Sequence, residues 1–208
     1  LMDLVMAGLT FEICLVYLDD ILVFSRSLPE HFDRLEQILQ RLASCGLKLK
    51  PSKCRLLQTS VTFLGHVVSA EGLATDPEKT RSVEEWPVPV SVKEVRGFLG
   101  LSGYYRKFVK DYARIAAPLT ALTRKGQHFE WTSECQVAFD ALKRALTTPP
   151  VLAMPDDQGS FILDTDASDV SVGAVLSQVQ GGVERVIAYG GRSLSRQERN
   201  YCITRREL

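Results

Sequence analysis

The sequence has no apolar run of the roughly 20 residues that a bilayer span needs, and no charged-then-apolar leader, so nothing in it marks a membrane or secreted protein. It has no excess charge of either sign. Its 25 Lys and Arg balance 25 Asp and Glu, so any basic surface for nucleic acid must be local. Five cysteines (Cys14, Cys45, Cys54, Cys135, Cys202) include no C-x-x-C pair, and the odd number argues against a disulfide framework or a zinc site. All five are expected to be small buried apolar side chains. His31 and His128 have no partner at metal-ligand spacing and read as surface residues. No internal period repeats. What remains is ordinary globular composition, 45% hydrophobic and 24% charged, with enough chain for one large domain or several small modules.

Local signals divide the chain into alternating kinds of structure. Residues 13–16 and 21–24 read as two short apolar strands joined through Tyr17 to Asp20. Ser27-Leu28-Pro29-Glu30 is a capping box, and the helix it opens should bury Phe32, Leu35, Leu39 and Leu42, with Gly46 just past its end. "VTFLGHVVS", Val61 to Ser69, reads as a strand broken at Gly65. Asp76-Pro77 and Ser91-Val92-Lys93-Glu94 start two helices, the second running through "VRGFLGLSGYYRKF". A helix is expected near Arg114 to Leu122, an extended piece over 127–131, and a helix from Thr132 burying Cys135, Phe139, Leu142 and Leu146. After "MPDDQGS", "FILDTDAS" and "VGAVLSQV" read as a β-hairpin, "RVIAYGG" as a third strand and "SRQERNYCITRREL" as the start of a helix. The order predicts a multidomain α+β fold.

Two constellations carry chemistry. In "ICLVYLDDILVF", Asp19 and Asp20 lie between two apolar strands. A solvated turn would tolerate them. A tip held by a rigid hairpin would also suit Mg²⁺, which takes carboxylate oxygens and borrows substrate phosphates as further ligands. In "DTDASD", Asp164 and Asp166 fall on one strand face. A calcium loop is excluded there, because its sixth position is Asp169 rather than Gly and its twelfth is Val175 rather than Glu. Between these sites Arg96, Gly100 and Tyr104 recur every fourth residue on one helix face, with Arg106, Lys107 and Lys110 following. That face suits either a nucleic-acid groove or plain solvent.

"VYLDDILVFSRSLPEHFDRLEQILQRLASCGLKLKPSKC" followed by "FLGHVVSAEG" resembles the reverse transcriptase of gypsy-type long-terminal-repeat retrotransposons. The resemblance extends over essentially the whole chain. It implies the C-terminal part of a palm over 1–73, a helical thumb over 74–126, a connection over 127–158 and the N-terminal half of a ribonuclease H-like α/β domain over 159–208. Asp19 and Asp20 then match the polymerase metal ligands, and Tyr17 would lie against the primer end. Phe63, Leu64, Gly65 and His66 match the loop that grips the primer strand. Arg96, Gly100 and Tyr104 would track the minor groove, with Arg106 and Lys107 on phosphates. Asp166 in "TDAS" and Glu207 match ribonuclease H metal ligands, leaving Asp164 and Asp169 as solvated acids.

The implied function is RNA-directed DNA synthesis coupled to hydrolysis of the RNA strand, with Mg²⁺ or Mn²⁺. The implied partners are an RNA/DNA template–primer duplex, deoxynucleotides and other Pol segments. The implied location is intracellular, in cytoplasmic virus-like particles or the nucleus. The chain opens on Leu1-Met2-Asp3 and stops at Arg206-Glu207-Leu208, as expected of a piece of a longer protein. The family pattern places a third palm carboxylate upstream of such an "LMD", so an isolated chain is expected to be inactive. A degenerate or co-opted nucleic-acid- or protein-binding module is the alternative.

Overall fold

The fold is that of a computed structural model, which describes residues 2–202 and 205. It divides into two compact units, Leu1–Gln58 and Thr59–Leu208.

The first unit contains helix α1 (Met2–Val5), strands β1 (Cys14–Tyr17) and β2 (Asp20–Val23), and helix α2 (Leu28–Ser44). The β1–β2 register pairs Cys14 with Val23 and Val16 with Ile21, so these four share a face. That face packs on Val5, Met6, Ile38 and Leu42 and forms the unit's core. Helix α2 starts where expected. The Ser27 hydroxyl accepts from the Glu30 N–H at 3.4 Å, while the Glu30 carboxylate accepts from the Arg26 N–H at 2.8 Å. It ends at Gly46, whose φ of 70° permits the Leu47 N–H to reach the Leu42 carbonyl at 2.9 Å. The expected apolar stripe is corrected: Phe32 and Leu39 are exposed, and the buried residues are Ile38 and Leu42. Leu39 lies about 100° round the helix from Ile38, so both cannot face the same hairpin.

The second unit opens with β3 (Ser60–Phe63), β4 (His66–Ser69) and β5 (Gly72–Thr75), an antiparallel meander in that order. Helices α3 (Pro77–Glu84) and α4 (Val92–Tyr104) follow, capped by Asp76 and Ser91 as the sequence predicts. A 3₁₀ turn at Arg106–Phe108 leads to α5 (Tyr112–Ile115), α6 (Ala117–Leu122) and α7 (Ser133–Thr147), the last capped by Thr132. Helix α7 buries Cys135, Ala138, Phe139, Leu142 and Leu146 against Phe98 and Leu119. Residues 127–131 form no strand. They are irregular, anchored by Phe129 and Trp131 on the core and by the Trp131 indole N–H donating to Gln136 at 2.8 Å.

Strands β6 (Phe161–Ala167), β7 (Ser171–Gln180) and β8 (Val183–Ser193) form the third sheet, antiparallel in that order. Leu152 ties this region to the meander: its N–H and carbonyl pair with Leu73, and the neighbouring Ala153 N–H donates to Val186. After β8 the chain does not continue at once into a helix. It makes a 3₁₀ turn at Glu198–Asn200. The Glu198 carboxylate caps that turn by accepting from the Ser195 N–H at 2.7 Å and is gripped by Arg192 at 2.8 and 2.9 Å, which holds its pKa down at about 2. The end of the expected helix, Glu207 included, lies outside the described residues.

Cys14 and Cys135 are buried as expected, but Cys45, Cys54 and Cys202 are exposed. The first two of those close helical turns, off any core stripe. His128 is exposed, whereas His31 is half-buried and bonded to Ser25 at 3.0 Å.

Candidate active site and nucleic-acid interface

The β1–β2 register makes Tyr17 and Asp20 direct partners, leaving Leu18 and Asp19 as a two-residue turn. Leu18 has φ 53° and Asp19 is not left-handed, the sign pattern of a type II′ turn, which normally takes Gly at its first central position. A leucine held there costs about 1–3 kcal/mol, so the rest of the hairpin must enforce the conformation. Two short apolar strands joined only through Tyr17 to Asp20 require a tight turn of this kind. Because Cys14, Val16, Ile21 and Val23 take the core face, Tyr17 and Asp20 project from the opposite face. Asp19 and Asp20 are exposed, and neither carboxylate meets a hydrogen-bond or ion-pair partner among the described residues. The tip therefore presents acceptor oxygens to solvent on a stiff base.

The stretch read as one broken strand is a hairpin. Phe63 pairs with His66, and both turn residues are left-handed, Leu64 at φ 50° and Gly65 at φ 70°. That is the sign pattern of a type I′ turn, in which leucine at the first central position is a steric outlier. The end of α4 grips this turn. The Tyr104 hydroxyl donates to the Leu64 carbonyl, and the Tyr105 hydroxyl donates to the Gly65 carbonyl at 2.8 Å. His66 Nδ1 also lies 2.8 Å from the Leu64 carbonyl; since a carbonyl only accepts, Nδ1 carries the hydrogen.

His66 is buried among Tyr104, Tyr105 and Phe108, with ring centroids 5.4 to 5.7 Å away, and its Nε2 has no partner among the described residues. Burial first, and the nearby Lys107 charge next, hold its pKa below the ordinary 6.5. Burial also pushes the Tyr105 phenol up to about 12, aided by Asp76.

Helix α4 continues through Gly100, where an added Cβ would meet nothing within 4 Å. Lys93, Arg96, Gly100 and Tyr104 all lie exposed along it. Arg96 donates to the Thr123 carbonyl at 3.1 Å, which orients its guanidinium. The helix stops at Tyr104, so Arg106 and Lys107 sit on the following 3₁₀ turn and not on the helix as expected. Arg106 and Lys110 are exposed. Lys107 is half-buried over the Phe108 ring at 5.4 Å, and that burial lowers its pKa.

On β6, Asp164 is opposite Val175 and Asp166 opposite Gly173, which puts both acids on one face. Both are exposed, as is Asp169. Glu207 lies outside the described residues. Among the described residues no three His, Cys, Asp or Glu side chains converge to hold a metal ion. Tyr105 and Phe108 were missed as site residues. Their i, i+3 spacing in "YYRKF" was a faint signal, and their partner lies 40 positions away.

Two family models match the sequence: a reverse transcriptase (RNA-dependent DNA polymerase) over residues 1–68, and an RNase H-like domain found in reverse transcriptase over residues 131–208. Curated relatives include the Pol polyproteins of Drosophila melanogaster transposon 297, 42% identical over 94% of this chain, and of transposon gypsy, 38% identical over 95%. The chain thus carries a reverse transcriptase segment and an RNase H-like segment, and its homologues are gypsy-type Pol polyproteins. It spans about a fifth of the length of these relatives, 18% and 20%. Among solved structures, the foamy viral protease-reverse transcriptase bound to double-stranded DNA matches with TM-score 0.87 at 25% identity, covering 100% of this chain and 36% of that one. The same enzyme bound to an RNA/DNA hybrid matches with TM-score 0.84, covering 100% and 28%.

Reverse transcriptase and RNase H domains of this family use divalent metals. The donor set at this hairpin fits such an ion: two adjacent carboxylates, solvent-facing, with no competing partner among the described residues. Among the described residues no helix is long and apolar enough to cross a membrane.

The buried His66 gives this Pol segment a pH signature. In the unfolded chain its imidazole titrates near 6.5, and in the folded one lower. The unfolded state therefore binds the proton first, so stability is complete above pH 6.5 and is lost as pH falls from there toward the folded value. Urea midpoints read between pH 7.5 and 5 should show this decline, and His66→Phe should flatten it. An equal decline in both proteins would show that other groups cause it.

Proposed function

We propose that this chain is the part of a gypsy-type reverse transcriptase that holds catalytic metal and template–primer duplex, in an enzyme that copies RNA into DNA and hydrolyses the RNA strand of the hybrid. The observation that carries this reading is the hairpin tip, where Asp19 and Asp20 stand exposed, without a partner among the described residues, on a strained turn that the strands enforce. Asp19 and Asp20 would hold Mg²⁺, or Mn²⁺ in its place, and Asp166 with Glu207 would hold the ions of the nuclease. When bound, such ions supply charge stabilisation to the phosphoryl oxygens.

The chain's own residues supply position. Tyr17, beside Asp20 on the solvent face, would lie against the primer end. Phe63, Leu64 and Gly65 grip the primer strand, the buried His66 supports their turn through the Leu64 carbonyl, and Arg96, Gly100 and Tyr104 offer an exposed helix face to the groove. Arg106 and Lys107 reach phosphates. Residues 1–73 act as palm, 74–126 as thumb, 127–158 as connection and 159–208 as the ribonuclease H-like part. Deoxynucleotides and further Pol segments are the other partners, and the working location is intracellular, in virus-like particles or the nucleus.

The test is primer extension by a whole Pol chain that carries these residues. Asp19→Asn and Asp20→Asn should each lower extension by more than about 100-fold, the upper range for losing merely a residue that orients a metal ligand. Hybrid affinity measured without nucleotide should change far less. Full extension by both variants would remove the two acids from catalysis and, with them, this reading of the tip.

A further inference from the structure

The turn at Leu64-Gly65 is held more tightly than a hairpin needs. Four donors converge on its two carbonyls: the Tyr104 hydroxyl and His66 Nδ1–H on Leu64, and the Tyr105 hydroxyl and the Asp76 N–H on Gly65. An added Cβ at Gly65 would lie 3.1 Å from the Tyr105 hydroxyl, so glycine is what lets that hydroxyl approach. Packing alone would be served by phenylalanine at position 105, where the ring is buried in the core. Pairing alone would be served by asparagine at position 64, which tolerates the left-handed conformation. The chain keeps a leucine there, 38% exposed, with its side chain free to meet a ligand. Conformational outliers persist where surrounding structure over-determines them, and they gather at ligand clamps.

We propose that Tyr104 and Tyr105 are positioning residues, whose hydroxyls lock the Leu64-Gly65 turn to the end of α4 so that Leu64 and the exposed α4 face engage one nucleic-acid duplex in a single register. The inference rests on the nucleic-acid reading above and adds a mechanism to it. Leu64 supplies an apolar contact to a sugar or base edge, Arg96 supplies charge, and the tyrosine pair fixes the distance between them. Tyr104 thus acts through the turn it holds as well as through its own exposed ring edge.

The experiment uses the full 208-residue chain, a fluorescently labelled RNA/DNA hybrid at low salt, and a diazirine analogue of leucine at position 64. The unaltered tyrosine pair should crosslink predominantly at one nucleotide. In the combined variant Tyr104→Phe, Tyr105→Phe, crosslinks should spread to neighbouring nucleotides and affinity should fall about fivefold, as for loss of one or two neutral hydrogen bonds. Melting, followed separately, reports the structural role. If the double variant does not fold, Tyr104→Phe alone carries the test, since its ring is half-exposed. A lowered melting temperature with unchanged crosslink register and affinity overturns the proposal, leaving the pair merely structural. Absence of hybrid binding by the unaltered chain, with Arg96→Ala no different, overturns the nucleic-acid reading itself, and the proposal falls with it.

Discussion

Gly72→Ala should destabilise the second unit by about 3 kcal/mol or more, among the larger effects a single substitution produces. Gly72 has φ 133°, a conformation L side chains rarely adopt, and an added Cβ would stand 2.2 Å from the Leu152 carbonyl oxygen. That obstacle is backbone and cannot rotate aside. It belongs to the bridge in which the Leu73 N–H donates to Leu152 at 2.7 Å and the Leu152 N–H returns to Leu73 at 2.9 Å. Relief requires opening the bridge, which loses both bonds at about 1 kcal/mol each and pulls the fully buried Leu152 from the core. Alternatively Gly72 changes conformation and β5 loses its first residue. Gly100→Ala is the contrast: ordinary helical backbone, open space, and an expected gain of about 0.5–1 kcal/mol. Trp86 and Trp131 both pack on the second unit's core, so their fluorescence in urea reads this unit directly. A Gly72→Ala midpoint equal to that of the parent would show that the bridge yields cheaply and that the close approach is incidental.

The contrast between these glycines indicates what a sequence displays. Gly46 was legible because helix ends obey local rules: Ser27, Asp76, Ser91 and Thr132 each cap a helix from within three residues. A tight turn near Leu18 was legible because two short apolar strands joined only through Tyr17 to Asp20 leave few geometries, while the two-residue turn itself came from the register. Gly72 was not, since its constraint comes from Leu152, 80 positions later. The Leu64-Gly65 hairpin was hidden for a related reason. Leu-Gly is no turn signature, and the conformation is imposed by Tyr104 and Tyr105 from another element. Phe32 and Leu39 kept helical spacing, but spacing alone does not say which of two overlapping stripes meets the hairpin. Past Ser193, Ser195 and Glu198 exchange capping-box bonds as at a helix start, yet the described chain there is a 3₁₀ turn over Glu198–Asn200, with Arg205 helical beyond it. For the candidate site the acids were visible from residue type and neighbours, whereas the scaffold that orients the grip turn was a long-range fact.

The 208 residues assayed by themselves should neither extend a primer nor cleave a hybrid. Two-metal phosphoryl transfer needs carboxylates from several elements to hold ions about 3.5–4 Å apart. At the hairpin tip the described residues offer Asp19 and Asp20 alone, and at the β6 face Asp164 and Asp166; nowhere among them do three ligand side chains converge. Two exposed carboxylates bind a hydrated divalent ion weakly, and they do not fix its geometry against a phosphate. Binding and chemistry should therefore separate. The chain should retain salt-dependent affinity for an RNA/DNA hybrid, since the exposed cations of α4 and its 3₁₀ turn are in place, and Arg96→Ala should shallow that salt dependence. Turnover should be absent with Mg²⁺ and with Mn²⁺. The assay is extension of a labelled primer beside cleavage of a labelled hybrid, with the whole Pol chain as the positive control. Robust turnover by the 208 residues, abolished by Asp19→Asn or Asp166→Asn, would mean that acids elsewhere in this chain complete the sites. The assignment of ligands would then have to be rebuilt around them.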